Sequence, residues 1–176
     1  MKALTLSVLA LVAGLRLAAA QAPPAAAPAD PLRPLAFLEG TWEAKGQGPQ
    51  GAVASGTYTF VRELGGHVLA RHSTTDGCKG PDGFNCQHGD LLYVYTEPPA
   101  GTLKAIFFDN EGHVIHYSVS TPDATTAVFL SDAQAGPQFR LTYQLKSGTM
   151  SGRFQMLMPG QTDWKSYLDW TGGPRK

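Results

Sequence analysis

Phe139-Arg140-Leu141-Thr142-Tyr143-Gln144-Leu145 alternates apolar and polar residues without a break. Successive side chains of an extended chain point to opposite faces. Phe139, Leu141, Tyr143 and Leu145 therefore share one face, and Arg140, Thr142 and Gln144 the other. This is the pattern of a half-buried antiparallel strand. Downstream it recurs twice. Met150, Gly152, Phe154, Met156 and Met158 stand against Ser151, Arg153 and Gln155; Trp164, Ser166, Leu168 and Trp170 stand against Lys165, Tyr167 and Asp169.

Upstream, similar segments lie near 41–46, 53–64, 67–74, 90–96, 102–109, 113–121 and 125–131. The stretches ELGGH, EPPAG, DNEG, TPDA, DAQAGP and KSG between them carry the Gly, Pro, Asn and Asp chemistry of tight reversals. No segment has a sustained helical period. PLAFLEG, from Pro34 to Gly40, is expected to form one helical turn that Gly40 ends. Each connection is too short for a crossover, so about ten short strands predict an up-and-down meander. An open sheet of that size leaves two bare edges, and closure into a barrel removes them. A two-sheet sandwich competes, but it usually needs longer Greek-key connections. The expected class is all-β: an antiparallel meander closing into a barrel, with a short N-terminal helical turn.

The chain opens MKALTLSVLALVAGLRLAAAQA. Lys2, the apolar run Leu4–Val12 and the small residues Ala18, Ala19 and Ala20 read as a signal peptide over 1–20. The apolar run is short for a bilayer span, and no later stretch is long enough. Residues 21–34 contain five prolines and a run of alanines, the composition of a semi-rigid spacer. The barrel domain is expected over 35–173, in a secreted or periplasmic setting.

The whole chain balances 14 Lys+Arg against 14 Asp+Glu. Losing Lys2 and Arg16 with the signal leaves a small acidic excess. No basic patch exists to meet a phosphate backbone, so nucleic acid is not an expected partner.

Cys78 and Cys86 are the only cysteines and lie in DGCKGPDGFNCQHGD. Their spacing fits neither a C-x2-C zinc pattern nor a C-x-x-C redox pair. In an oxidising compartment they are expected to form a disulfide that staples a turn-rich loop. No metal site is assigned.

FLEGTWEAKGQG, with Gly40-x-Trp42 opening the first strand and Gly46-x-Gly48 after it, resembles the start of calycin-like barrels. The closest likeness is to the nitrobindin-like and uncharacterised lipocalin-like secreted branch. RELGGHVLARH and FFDNEGHVIHYSV are similar to segments of that branch, and the resemblance spreads over Leu35 to Trp170. It implies a cavity for a small apolar or planar ligand. It also implies a structural Trp42 at the closed end, often covered by a cationic side chain. Nitrobindins bind haem through a histidine on a late strand. Here the last histidine is His116, so the departure argues against haem as a cofactor. A haem protein would need an unusual ligand such as Tyr143, Met156 or Tyr167.

Parity nominates the ligand-binding lining. Phe139, Tyr143, Phe154, Met156, Trp164 and Leu168 come from the three clearest strands, and Phe107 joins them from an earlier one. His116, flanked by Ile115 and Tyr117, is the best histidine for a cavity position. No H-E-x-x-H, G-x-S-x-G or P-loop is present, and the carboxylates cluster in turns. No catalytic residue is assigned, and the protein is not expected to be an enzyme. The leading expectation is non-catalytic binding of a small apolar molecule inside the barrel. A structural or envelope-interaction protein with a filled barrel is the alternative, and a nitrobindin-like haem protein with a non-standard axial ligand the third.

Overall fold

The computed structural model describes residues 30–132 and 135–175. The expected signal peptide, and the spacer up to residue 29, lie outside them. Ten strands follow one another: β1 (Gly40–Gln47), β2 (Val53–Glu63), β3 (Val68–Lys79), β4 (Gly89–Glu97), β5 (Thr102–Asp109), β6 (Val114–Asp123), β7 (Thr126–Ser131), β8 (Gln138–Lys146), β9 (Thr149–Leu157) and β10 (Lys165–Pro174). Each pairs antiparallel with the next, and β10 returns to pair with β1, so the barrel is closed and has no free edge.

Cross-strand partners share a face, so the register fixes what points inward. Trp42 stands beside Tyr58, Phe60 beside Arg71, and Arg71 beside Leu92. Ala105 stands beside Tyr117, Ala127 beside Tyr143, and Tyr143 beside Gly152. These side chains form the core, in which Phe60, Leu92, Tyr117, Phe129, Tyr143 and Met150 are almost wholly buried.

The end of the barrel near Trp42 is covered. A 3-10 helix, Arg33–Leu38, packs Leu35 and Leu38 into the core cluster, and Trp42 Nε1 donates to the Leu38 carbonyl at 2.9 Å. Trp42 therefore packs at this end, but no cation lies over its ring among the described residues; the two cation–ring contacts involve Tyr143 and Trp164. Residues before 35 also pack on the barrel. Leu32 is fully buried, and Arg62 pairs with Asp30 and Glu39 at 3.0 and 2.7 Å, tying the entry segment to β2.

Two irregularities re-aim the sheet. The register of β2 against β3 slips between Ser55 and Gly56, and that of β10 against β9 slips between Ser166 and Leu168. The second slip leaves Tyr167 as an extra residue and reverses the side-chain parity before it. At Gly152 the Trp170 ring lies 2.0 Å from where a Cβ would stand, so only glycine admits the ring. Cys78 and Cys86 are disulfide-bonded, joining the end of β3 to the loop before β4.

Candidate functional site

Opposite the 3-10 helix, the barrel end formed by the starts of β4, β6, β8 and β10 carries half-buried inward side chains. Phe107, Ile115, Phe139 and Phe154 pack on the core but keep part of their surface open. Met156 pairs with Phe139, and Leu168 with Phe154, so both join the same wall. Phe139 and Phe154 stack with centroids 5.5 Å apart. The result is an apolar, half-buried wall at one end of a barrel whose other half is packed with rings.

The barrel interior also carries a polar, charged cluster. Arg71, 5% exposed, projects from β3 into the interior. It donates one hydrogen bond to the Tyr143 hydroxyl and another to Asp90 on β4. Asp90 also accepts from Ser73 at 2.6 Å and lies 3.5 Å from His88 Nε2. Burial pushes the Asp90 carboxyl up, but the Arg71 charge and the bonds from His88, Ser73 and Arg71 outweigh it and hold the group well below the usual carboxylate range. Burial raises the Arg71-bonded phenol of Tyr143 to about 12, so it stays neutral. Tyr58, Phe60, Phe129 and Trp170 pack around the Tyr143 ring at centroid distances of 5.9, 5.4, 6.1 and 5.6 Å.

The β4–β5 side of the mouth is polar. His88 Nδ1 is 3.0 Å from Glu111 Oε1, and its hydrogen bonds to Asp90 and Glu111 raise its pKa against the opposing effect of burial. The Asp109 carboxylate accepts from the backbone of Glu111 and His113 and from His113 Nδ1, at 3.0, 2.9 and 2.8 Å. One ligand atom each of His88, Asp109 and Glu111 lies within 4.8 Å of the others. Their present hydrogen bonds account for all three groups.

Six of the nominated lining residues face the interior: Phe107, Phe139, Tyr143, Phe154, Met156 and Leu168. Two do not. His116 is exposed on the outer face, because the inward face of β6 is Ile115, Tyr117 and Val119. Trp164 also lies outside, its ring 4.3 Å from the Arg140 guanidinium, because the extra residue at Tyr167 shifts the alternation that parity assumed. Arg71, Asp90, Tyr58 and Trp170 were not nominated. The Leu69, Arg71, Ser73 alternation in β3 is legible, but it reads as polar and outward until the strands are paired.

The site does not fit haem. All five histidines are accounted for elsewhere: His67 and His116 are exposed, His72 pairs with Glu63, His113 with Asp109, and His88 with Asp90 and Glu111. Tyr143 Oη is engaged by Arg71, Tyr167 is 45% exposed, and Met156 stands at the rim beside Phe139 and Lys165. A concavity of about 1130 Å³ opens on the wall formed by β1, β2, β8, β9 and β10, where Lys45, Ser55, Thr142, Arg153, Asp169 and Trp170 line it.

No family model matches the chain, and no curated protein matches it. Among solved structures, the crystal structure of Rv2717c from M. tuberculosis is similar, with a TM-score of 0.59 and 15% identity over 84% of this chain and 99% of that one. That likeness concerns the barrel fold alone. A structure of EF1p2_mFAP2b bound to DFHBI and a redesigned β-barrel, b11L5F_LGL, align at a TM-score of 0.35 each, with 12% and 14% identity over 81% and 82% of this chain and 98% and 96% of theirs.

Proposed function

We propose that this protein is an exported, non-catalytic binder that takes a small, largely apolar ligand into the open end of its barrel. One observation carries the reading: inward-facing Phe107, Ile115, Phe139, Phe154, Met156 and Leu168 keep part of their surface open at one end of the barrel. Covering that surface stabilises a complex by about 25 cal/mol per Å² of apolar area. A few polar groups in the interior then orient the ligand. Export fits the Cys78–Cys86 disulfide, and the nitrobindin-like resemblance belongs to the same reading. The alternative, a structural protein with a filled barrel, has the ring-packed lower half in its favour; the open apolar wall favours the binder.

Native mass spectrometry of the protein, purified gently from its own cell envelope, tests this. A mass excess that disappears on denaturation is the expected result. A clean apo mass, together with no rise in melting temperature across a panel of small apolar compounds, contradicts it.

A further inference from the structure

Three buried polar atoms in the barrel have no hydrogen-bond partner: Tyr58 Oη, Arg71 Nε and Trp170 Nε1. Their side chains pack around one ring, that of Tyr143, at 5.9, 5.9 and 5.6 Å. Burial holds the Tyr58 phenol well above its ordinary value, with a smaller opposing effect from the nearby Trp170 side chain, yet Trp170 Nε1 and Tyr58 Oη complete no hydrogen bond. Buried polar groups are almost always paired, and an orphan costs about 1–3 kcal/mol. Three of them against the one Tyr143 ring leave the barrel interior short of acceptors.

All three orphans bear a proton to donate, so the missing partner is an acceptor. Its charge follows from the neighbours. Arg71 is already neutralised by Asp90, and beyond Asp90 lie His88, Glu111 and Asp109. A carboxylate placed here finds no unbalanced positive charge and meets Asp90. A primary ammonium meets the Arg71 guanidinium and the Trp170 N–H, with the Tyr58 hydroxyl oxygen as its one acceptor among the three. We infer that the ligand is a neutral molecule with a carbonyl-type oxygen on an apolar body, its oxygen set among Tyr58, Arg71 and Trp170 in the barrel interior. The inference rests on the open end being a binding site, and the test separates the two.

Acetophenone, ethylbenzene and benzoate share one shape and differ in headgroup. Titrating each into the 15N-labelled protein gives affinities and follows the Trp170 indole N–H directly. The ketone is expected to bind about tenfold more tightly than the hydrocarbon, the equivalent of one hydrogen bond, and to move the Trp170 indole signal downfield. Tyr58→Phe is expected to cut that preference severalfold. It should also raise the melting temperature of the ligand-free protein, since it deletes an orphan hydroxyl; a structural hydroxyl does the reverse. Equal binding of ketone and hydrocarbon, or tighter binding of benzoate, overturns the carbonyl assignment while leaving the binding site intact. A preference unchanged in Tyr58→Phe also overturns it. Binding of none of the three overturns both.

Discussion

Arg71 is the residue on which the interior turns. A guanidinium inside a barrel survives because Asp90 and Tyr143 satisfy it, and Ser73 and His88 in turn satisfy Asp90. Removing one partner leaves a buried charge alone. Asp90→Asn is expected to destabilise the fold by about 3–5 kcal/mol, and Tyr143→Phe by about 1–3 kcal/mol, in urea titrations. The same network sets a pH dependence. His88 has a raised pKa, so its contribution is complete below about pH 6.5 and fades as pH rises through the folded value. Asp90 has a depressed pKa, so its contribution is complete above about pH 4 and fades as pH falls towards the folded value. The melting temperature should therefore be highest between those limits. His88→Gln should remove the decline on the alkaline side and keep the acid one; an identical alkaline decline in the variant contradicts the assignment. None of this was legible in the sequence. Arg71 and Asp90 are 19 residues apart and meet only through the β3–β4 register, which spacing does not disclose.

At the scale of the elements, strand alternation was readable wherever nothing interrupted it. FRLTYQL became β8 with Phe139, Leu141, Tyr143 and Leu145 inward, as the period-two pattern requires. In β10 one extra residue, Tyr167, broke the same rule and left Trp164 outside on Arg140. β6 went wrong differently. Both its parities hold apolar residues, Val114 on one and Ile115, Tyr117 and Val119 on the other, and a histidine drew attention to the weaker set. The fuller apolar set was the usable signal. β9 and β10 also show where backbone and ring compete for space. Gly152→Ala sets a methyl into the Trp170 ring, and is expected to cost about 1–3 kcal/mol as overpacking and to displace Trp170 from Tyr143. Loss of the Trp170 signature in near-ultraviolet circular dichroism checks this.

For the whole molecule, short turns between ten strands left little choice but a closed meander, and the barrel is closed. Its two ends differ. One is sealed by Leu35, Leu38 and Trp42 under the 3-10 helix; the other is open and carries the disulfide loop. The staple closes a short loop, a separation of 8 residues, so the loop-entropy relation gives about 2–3 kcal/mol. The Cys78→Ser, Cys86→Ser double variant should lose that amount in denaturant and still fold. Which end is open was not legible beforehand, because it depends on where the N-terminal segment lies. Leu32, in a stretch whose prolines and alanines read as spacer, helps to seal the barrel.

The most direct test of the binding site is a titration of the fluorescent apolar probe N-phenyl-1-naphthylamine into the native protein and into Ile115→Trp. That change keeps the wall apolar but fills the open end. Saturable one-to-one binding that the larger side chain weakens at least tenfold, with the fold intact by circular dichroism, is the predicted result. No saturable binding, or equal binding to both proteins, contradicts the account.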